Sequence, residues 1–307
     1  MVIPEKIGRW MDREGFRFQR LQIDGMDNET VLRANAPEMA REETCLFHGD
    51  VPDGDAYLNR FHDRLAAALT TPAPLPVVRF ADGEYAFYGL SLECNGLYRQ
   101  AESVESIREA LPFHLQAFEI LLSSGLAAPL VFPGNLTARA KGILSLFRKR
   151  ELPSAGTFLS FLEANRLCLT GLNYLPFYGV YAYLTSGRFA RLVHGRRVCV
   201  LNAGANEQAV ERWFAAFQSR PELAFVELPP EYVATRWPQQ REAVLPRIPG
   251  DTELCIVGAG IGALPVCVDV ATQRSIPALD AGHALNMMND RVDKSNGARL
   301  YSLWKTP

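Results

Sequence analysis

Four places in the 307-residue sequence carry residue types that could do chemistry. The first is Arg79-Phe-Ala-Asp82-Gly83-Glu84, in which Asp82-Gly83-Glu84 closes the run Val77–Ala81. That run reads as a short strand, so the charges would emerge where open α/β sheets bind ligands, outside the carboxyl ends of their strands. Carboxylates two residues apart project to one side of an extended segment. Gly83 between them lets the backbone turn tightly and a ligand approach. Two hard oxygen donors suit Mg²⁺ or Mn²⁺, which also take waters and substrate phosphates. Arg79 could pair with a phosphate or hold a carboxylate in place. Spacing alone carries no weight, because Asp12/Glu14, Asp27/Glu29, Asp53/Asp55 and Asp251/Glu253 repeat it, and roughly four such pairs arise by chance in a chain this acidic. The strand before Asp82 and the glycine after it are what distinguish this pair from a turn with solvated acids.

The second place is Gly258-Ala-Gly260-Ile-Gly262-Ala263, between an apolar strand and a helix. Its backbone N–H groups and the helix N-terminus could hold a phosphate. It also fits the dinucleotide pattern G-x-G-x-x-A with Asp280 about 20 residues on, which makes a nicotinamide or flavin oxidoreductase a rival reading. Against that, only 27 residues follow Asp280, and Pro265 sits early in the helix. The structural alternative is a close strand–helix contact that needs small residues. The third place is Asp280-Ala-Gly282-His283, after the last strand. Asp280 and His283 could act as a general base or contact a sugar hydroxyl, or they could be a loop acid and a capping histidine. The fourth is Asn202-Ala-Gly204-Ala-Asn206, where Asn202 ends a strand and Asn206 reads as a helix N-cap. No nucleophile elbow or Walker loop is present, and the five histidines do not cluster.

These loops need elements to hold them. Leu58, Phe61, Leu65 and Leu69 recur at helical spacing over Asp55–Leu69. Ser103 can cap a helix to about Ser123, with Pro112 inside it and Gly125 as its stop. Pro129–Phe132 reads as a short strand, Ala138–Lys149 as helix, and Gly156–Arg188 as helical with a break around Gly171–Pro176. The last third alternates. Strands are expected at Arg197–Asn202, Leu223–Leu228, Glu253–Val257 and Ile276–Asp280, with helices at Asn206–Phe217, Pro238–Leu245 and from the glycine turn to about Thr272. Such alternation predicts an α/β fold with a Rossmann-like, mostly parallel sheet covered by helices on both faces. Residues 1–54 are weakly periodic and read as an N-terminal extension or cap, leaving 55–307 as the main domain.

Composition sets the outer limits. The chain is 48% hydrophobic and 21% charged, with 32 Lys+Arg against 34 Asp+Glu and a formal net charge of −2. That excludes general disorder and gives no basic excess for nucleic acid. Cys45, Cys94, Cys168, Cys199, Cys255 and Cys267 form no C-x-x-C pair, so neither a disulfide scaffold nor a zinc site is expected. The absence of an apolar leader or a membrane-length run points to a cytoplasmic protein whose membrane contact, if any, is peripheral.

Three of the four pieces line up, in order, with a known family. Arg79-Phe-Ala-Asp82-Gly83-Glu84 resembles the R-x-G-D-G-E signature of the GT-D-type glycosyltransferases, formerly a domain of unknown function. Cys255–Ala263 looks like that family's strand ending in a G-P-T-A-like turn, and Asp280-Ala-Gly282-His283 is similar to its D-I-G-H. Leu228-Pro-Pro-Glu-Tyr232 falls where the family has a proline-containing loop before a helix. The resemblance spans about residues 75–290. Ala81 replaces the first glycine of the signature, and Ile261-Gly262 replaces the Pro-Thr pair. The resemblance implies a metal-dependent enzyme that moves a sugar from a nucleotide-sugar, in the first instance a UDP-sugar, to a glycan or glycoconjugate hydroxyl, as in polysaccharide biosynthesis. Asp82 and Glu84 correspond to the D-x-E metal motif for Mn²⁺ or Mg²⁺. Arg79, Gly83, Asn202, Gly258, Gly260 and Gly262 would lie along the donor, and Asp280 or His283 would serve as base or sugar contact. A non-catalytic nucleotide-sugar-binding protein is a further alternative, motivated by the two departures.

Overall fold

The computed structural model describes residues 3–21, 44–93, 100–139 and 151–289. Helix α1 (Glu5–Glu14) ends at Gly15 in the left-handed region. An antiparallel pair follows, β1 (Phe16–Arg20) and β2 (Thr44–His48). Helix α2 (Gly54–Thr70) starts at Asp53, whose carboxylate accepts the Ala56 N–H at 2.8 Å. Then come β3 (Leu75–Phe80), the short helix α3 (Asp82–Tyr88), α4 (Val104–Ser124) and β4 (Leu126–Pro129). A two-residue ladder pairs β5 (Ala138–Arg139) with β6 (Glu151–Leu152). Three helices follow: α5 (Ala155–Ala164), α6 (Phe177–Leu184) and α7 (Gly187–Leu192). The final third runs β7 (Arg197–Asn202), α8 (Glu207–Ala216), β8 (Glu222–Glu227), α9 (Val233–Val244), β9 (Leu254–Gly258), α10 (Ala263–Arg274), β10 (Pro277–Asp280) and α11 (His283–Met288).

Six strands form one sheet in the order β4-β3-β10-β9-β7-β8, and every neighbouring pair is parallel. Helices α4, α9 and α10 pack together on one face, with α2, α6, α8 and α11 on the other. The fold is therefore the expected α/β arrangement with a Rossmann-like parallel sheet. Burial on both faces explains why β3 is buried at all six residues and why the strands read as apolar runs. The outer edge of β4 is covered: Ala127 N–H donates to Asn173 O at 2.7 Å, and Leu175 N–H donates to Ala127 O at 2.9 Å. That pairing blunts an edge open to unwanted strand addition. The N-terminal elements dock on the same region. Trp10 stacks on Phe16 at 5.3 Å, Phe16 meets Tyr174 edge-on at 5.2 Å, and the Tyr174 hydroxyl donates to Leu46 O at 2.6 Å. Ile7, Trp10, Met11, Phe16 and Leu46 share one core with the sheet.

Three elements depart from the sequence expectation. The strand expected at Pro129–Phe132 lies earlier, at Leu126–Pro129, because two alanines the pattern did not favour fill the buried ladder positions. Helix α9 begins at Val233 and runs through Pro238 instead of starting there. Pro238 has no N–H to give Ala234 O, four residues earlier. The His114 imidazole supplies the missing donor, with Nε2 2.7 Å from Ala234 O. Its Nδ1 accepts the Tyr88 hydroxyl at 2.8 Å. Burial lowers the His114 pKa to about 4, so the ring is held neutral. Finally, Ala138 and Arg139 belong to the β5–β6 ladder and do not open a helix. The rest of that expected helix lies outside the described residues. No helix among the described residues is long and apolar enough to cross a membrane.

Candidate functional site

The strand order places the carboxyl ends of β3, β10, β9 and β7 side by side, so the four candidate loops share one edge of the sheet. Two of them touch. A Cβ on Gly83 would stand 3.3 Å from Ile261 Cγ1, so the Asp82-Gly83-Glu84 turn lies against the Gly260–Gly262 turn. Helix α3 itself is set by its charges. Glu84 reaches back from the first turn, and its Oε2 accepts the Ala81 N–H at 2.8 Å. Ala81 has no side-chain oxygen with which to return the bond, so this is half of a capping box. Both carboxylates sit at the helix N-terminus, where the backbone dipole favours negative charge.

Asp82 is exposed and Glu84 partly buried. The backbone and side chains around it partly desolvate the Asp82 carboxyl and raise its pKa above the ordinary value, although part of its surface is open. Burial also pushes Glu84 up to about 7; the Ala81 N–H opposes the rise, Asp280 adds to it and Arg79 opposes it. Desolvation is the largest cause of both shifts. Among the described residues, no group of three or more His, Cys, Asp or Glu is arranged to hold a metal. A cation here would have two protein carboxylates and would need its remaining ligands from water or substrate. That is the usual mode of Mg²⁺ at phosphate sites, so the donor set fits such an ion by type. The two carboxylates do not lie on an extended segment as the sequence suggested but open helix α3, where residues two apart do not project to one side.

Arg79 lies under this turn, 7% exposed. Its backbone N–H donates to Asp280 Oδ2 at 3.1 Å, Nη2 to Oδ1 at 3.0 Å, and Nε to the Asp280 carbonyl at 3.0 Å. Nη1 donates to the Tyr181 hydroxyl, and the guanidinium lies 4.4 Å from the Tyr181 ring centroid and 5.3 Å from that of Phe177. Burial works against the Arg79 charge, but the Asp280 carboxylate and Tyr181 more than offset it and hold its pKa above the ordinary value. Burial raises the Tyr181 phenol to about 12, against the pull of Arg79 and the His283 backbone N–H. The loop after β10 is shaped around this arginine. Gly282 has φ +43, and a Cβ there would collide with Arg79 Nη2. Asp280, 4% exposed, has both carboxylate oxygens engaged by Arg79. That occupancy fits a positioning role better than proton abstraction. His283 opens α11, partly exposed, with Nδ1 3.5 Å from Asn286 Nδ2.

The glycine turn divides into two kinds of position. Gly262 N–H donates to Gln100 Oε1 at 3.3 Å, and the same oxygen accepts Ala234 N–H at 3.2 Å. A Cβ on Gly262 would lie 2.6 Å from Val233 Cγ1. The packing of α9 therefore accounts for Gly262, and its amide is already engaged. Gly258 is likewise crowded by Asn202 Nδ2 and Leu285. Gly260 differs: it is exposed, with φ +55. Asn202 ties two loops together, donating to Gly258 O at 3.0 Å and accepting Gly204 N–H at 3.1 Å. Asn206 caps α8, accepting Ala209 N–H at 3.1 Å. Sequence reasoning missed Gln100, Phe177 and Tyr181. No local signal marks them, since their roles depend on contacts with residues about 100 or more positions away.

No family model matches the chain, and no curated protein matches it. Among solved structures the chain is similar to one described as "The highly conserved domain of unknown function 1792 has a distinct glycosyltransferase fold". The identity is 15% and the TM-score 0.47, covering 80% of this chain and 84% of that one.

Proposed function

We propose that this chain is a GT-D-type glycosyltransferase that moves a sugar from a nucleotide-sugar, in the first instance a UDP-sugar, to a hydroxyl of a glycan or glycoconjugate, with Mn²⁺ or Mg²⁺ held by Asp82 and Glu84. The observation that carries this reading is the contact between the carboxylate turn and the glycine turn, Gly83 against Ile261. A cation–diphosphate needs hard oxygen ligands on one side and close-approaching backbone on the other. The carboxylates are next to this turn, and of its three glycines Gly258 and Gly262 are crowded by neighbouring side chains while Gly260 is exposed. When bound, a divalent ion offsets the charge of the departing diphosphate. Asp82, exposed, is the carboxylate open to it, while Glu84 can offer one oxygen with the other fixed on Ala81. Arg79 and Asp280 hold the two strand ends in register beneath the site. The acceptor hydroxyl attacks the anomeric carbon as the bond to the diphosphate breaks, and its proton passes to a base. Of the two candidates His283 is the better supported, since both oxygens of Asp280 are engaged.

The oxidoreductase reading places a diphosphate on the same glycine turn, where the Gly262 N–H is engaged by Gln100, and so has no use for the carboxylates of Asp82 and Glu84. A test separates all three readings. Asp82→Asn and Glu84→Gln should each lower cation-dependent turnover by about 10²-fold or more, as losses of charge-stabilising groups do, with the fold intact by circular dichroism. Full activity in the double variant overturns the metal assignment. Thermal stabilisation by NAD(H) and not by UDP-sugars with Mn²⁺ favours the oxidoreductase. Donor binding without turnover favours a non-catalytic binding protein.

A further inference from the structure

Five residues other than glycine have positive φ among the described residues: Leu90, Arg166, Gln218, Tyr232 and Ser275. Leu90, Arg166 and Gln218 follow the ends of α3, α5 and α8, and Ser275 ends α10. The left-handed conformation is ordinary at helix C-termini. Tyr232 is the exception. It precedes α9 as its N-cap, with φ 59 and ψ 23, where an extended backbone is the rule. A bulky aromatic residue in that region is an outlier that the surroundings must impose.

The surroundings do impose it. Tyr232 O accepts Thr235 N–H at 3.1 Å and Arg236 N–H at 2.7 Å. The Gln240 side chain donates to the preceding carbonyl, Glu231 O, at 3.3 Å. The Arg236 guanidinium lies 5.0 Å from the centroid of the Tyr232 ring and is itself paired with Glu102. Thr235 Oγ1 donates to that same Glu102 carboxylate at 3.3 Å. The ring is thus backed by a cation whose own position is fixed, and it keeps part of its surface open. Its location follows from its neighbours. Val233 is the residue packed against Gly262, and Ala234 shares Gln100 Oε1 with the Gly262 amide. Tyr232 is therefore the residue that precedes the Val233–Ala234 contact with the glycine turn.

We propose that Tyr232 is the nucleobase-binding residue of the donor site, an aromatic surface on which the planar base of a nucleoside diphosphate stacks. The inference rests on the donor reading above. Every base has a π-face, and stacking on a pinned aromatic ring requires no further hydrogen-bond code. Pinning the ring in advance lowers the ordering cost on binding, which gives the strained backbone a purpose.

The test measures binding of UDP, GDP, ADP, TDP and pyrophosphate, each with Mn²⁺, by calorimetry to wild type, Tyr232→Phe and Tyr232→Gly. Glycine adopts the left-handed conformation freely, so Tyr232→Gly removes the ring while relieving the backbone, and its melting temperature confirms folding. The nucleoside diphosphate that binds wild type should bind Tyr232→Gly about tenfold or more weakly and Tyr232→Phe within about threefold, while pyrophosphate stays within about twofold throughout. Unchanged nucleotide binding in Tyr232→Gly overturns this inference and leaves the donor reading standing. An equal loss with pyrophosphate also overturns it, since Tyr232 would then only support the glycine turn. If wild type binds none of the four nucleotides, the donor reading falls and this inference with it.

Discussion

Replacing Glu84 by Gln should make the metal-free protein more stable while impairing the cation-loaded one. In the folded chain burial holds the Glu84 carboxyl at about 7, against an ordinary value of 4.5. The folded state therefore binds the Glu84 proton more tightly than the unfolded chain does. At pH below 4.5 both states are protonated and Glu84 costs nothing. As pH rises towards and past 7, the unfolded chain gains an easily ionised carboxylate and the folded state loses stability relative to it. At about 1.4 kcal/mol per pH unit, the full difference is about 3 kcal/mol at alkaline pH. Partial exposure screens part of this, and Gln loses the charge assistance in the bond from Ala81 N–H, so about 1–2 kcal/mol is the expected gain. With unfolding entropy near 2 cal/mol/K per residue, that is a rise of about 2–3 °C in melting temperature for a chain this long. Thermal unfolding in EDTA, run from about pH 4.5 to about pH 8, should show the difference growing with pH. Adding Mn²⁺ should raise the wild-type midpoint at pH 8 and leave Glu84→Gln largely unmoved. A Glu84→Gln midpoint at or below wild type at pH 8, or a gain of equal size at both ends of the range, would refute the reasoning.

The buried ion pair predicts two further outcomes. Arg79→Leu strands Asp280 without its partner and should cost about 3–5 kcal/mol in urea unfolding, whereas Arg79→Leu/Asp280→Leu should recover most of that loss while remaining inactive. Gly282→Ala combines a left-handed φ of +43 with a clash against Arg79 Nη2. It should lower stability by about 1–3 kcal/mol and weaken donor binding measured by calorimetry, because the loop can accept the methyl group only by moving the guanidinium.

The sheet was legible because its strands are buried on both faces. Arg197–Asn202 was expected and found to the residue. Ser103 and Gly125 bound α4 as their chemistry suggests, Ser103 Oγ accepting the Ser106 N–H at 3.0 Å. Asp82 and Glu84 stood out because a strand and a glycine frame them. What was not legible depends on distant partners. Pro238 reads as a helix start until His114, more than a hundred residues away, supplies Ala234 O with a donor. Arg79 reads as a partner for either a phosphate or a carboxylate until Asp280 and Tyr181 are seen to engage it. Gly262 reads equally as a phosphate contact or a close packing position until Gln100 and Val233 decide for packing. In each case, local spacing identified a residue with chemical capacity, and a tertiary contact decided how that capacity is used.

The position of β10 has a consequence for how the protein comes into being. Among the described residues it is the last of the sheet's strands in chain order, yet it lies between β3 and β9. Until it is synthesised, β3–β4 and β9–β7–β8 are two separate ribbons, each with one bare inner border. A nascent chain at that stage has Arg79 on one ribbon and Gly258 on the other, and the Asp280 that locks the arginine does not yet exist. Insertion of a strand between two waiting borders carries a high loop-closure cost, which delays the step and leaves both borders open to foreign strands meanwhile. The same event that closes the sheet completes the floor of the site, so a released chain is either whole at both or at neither.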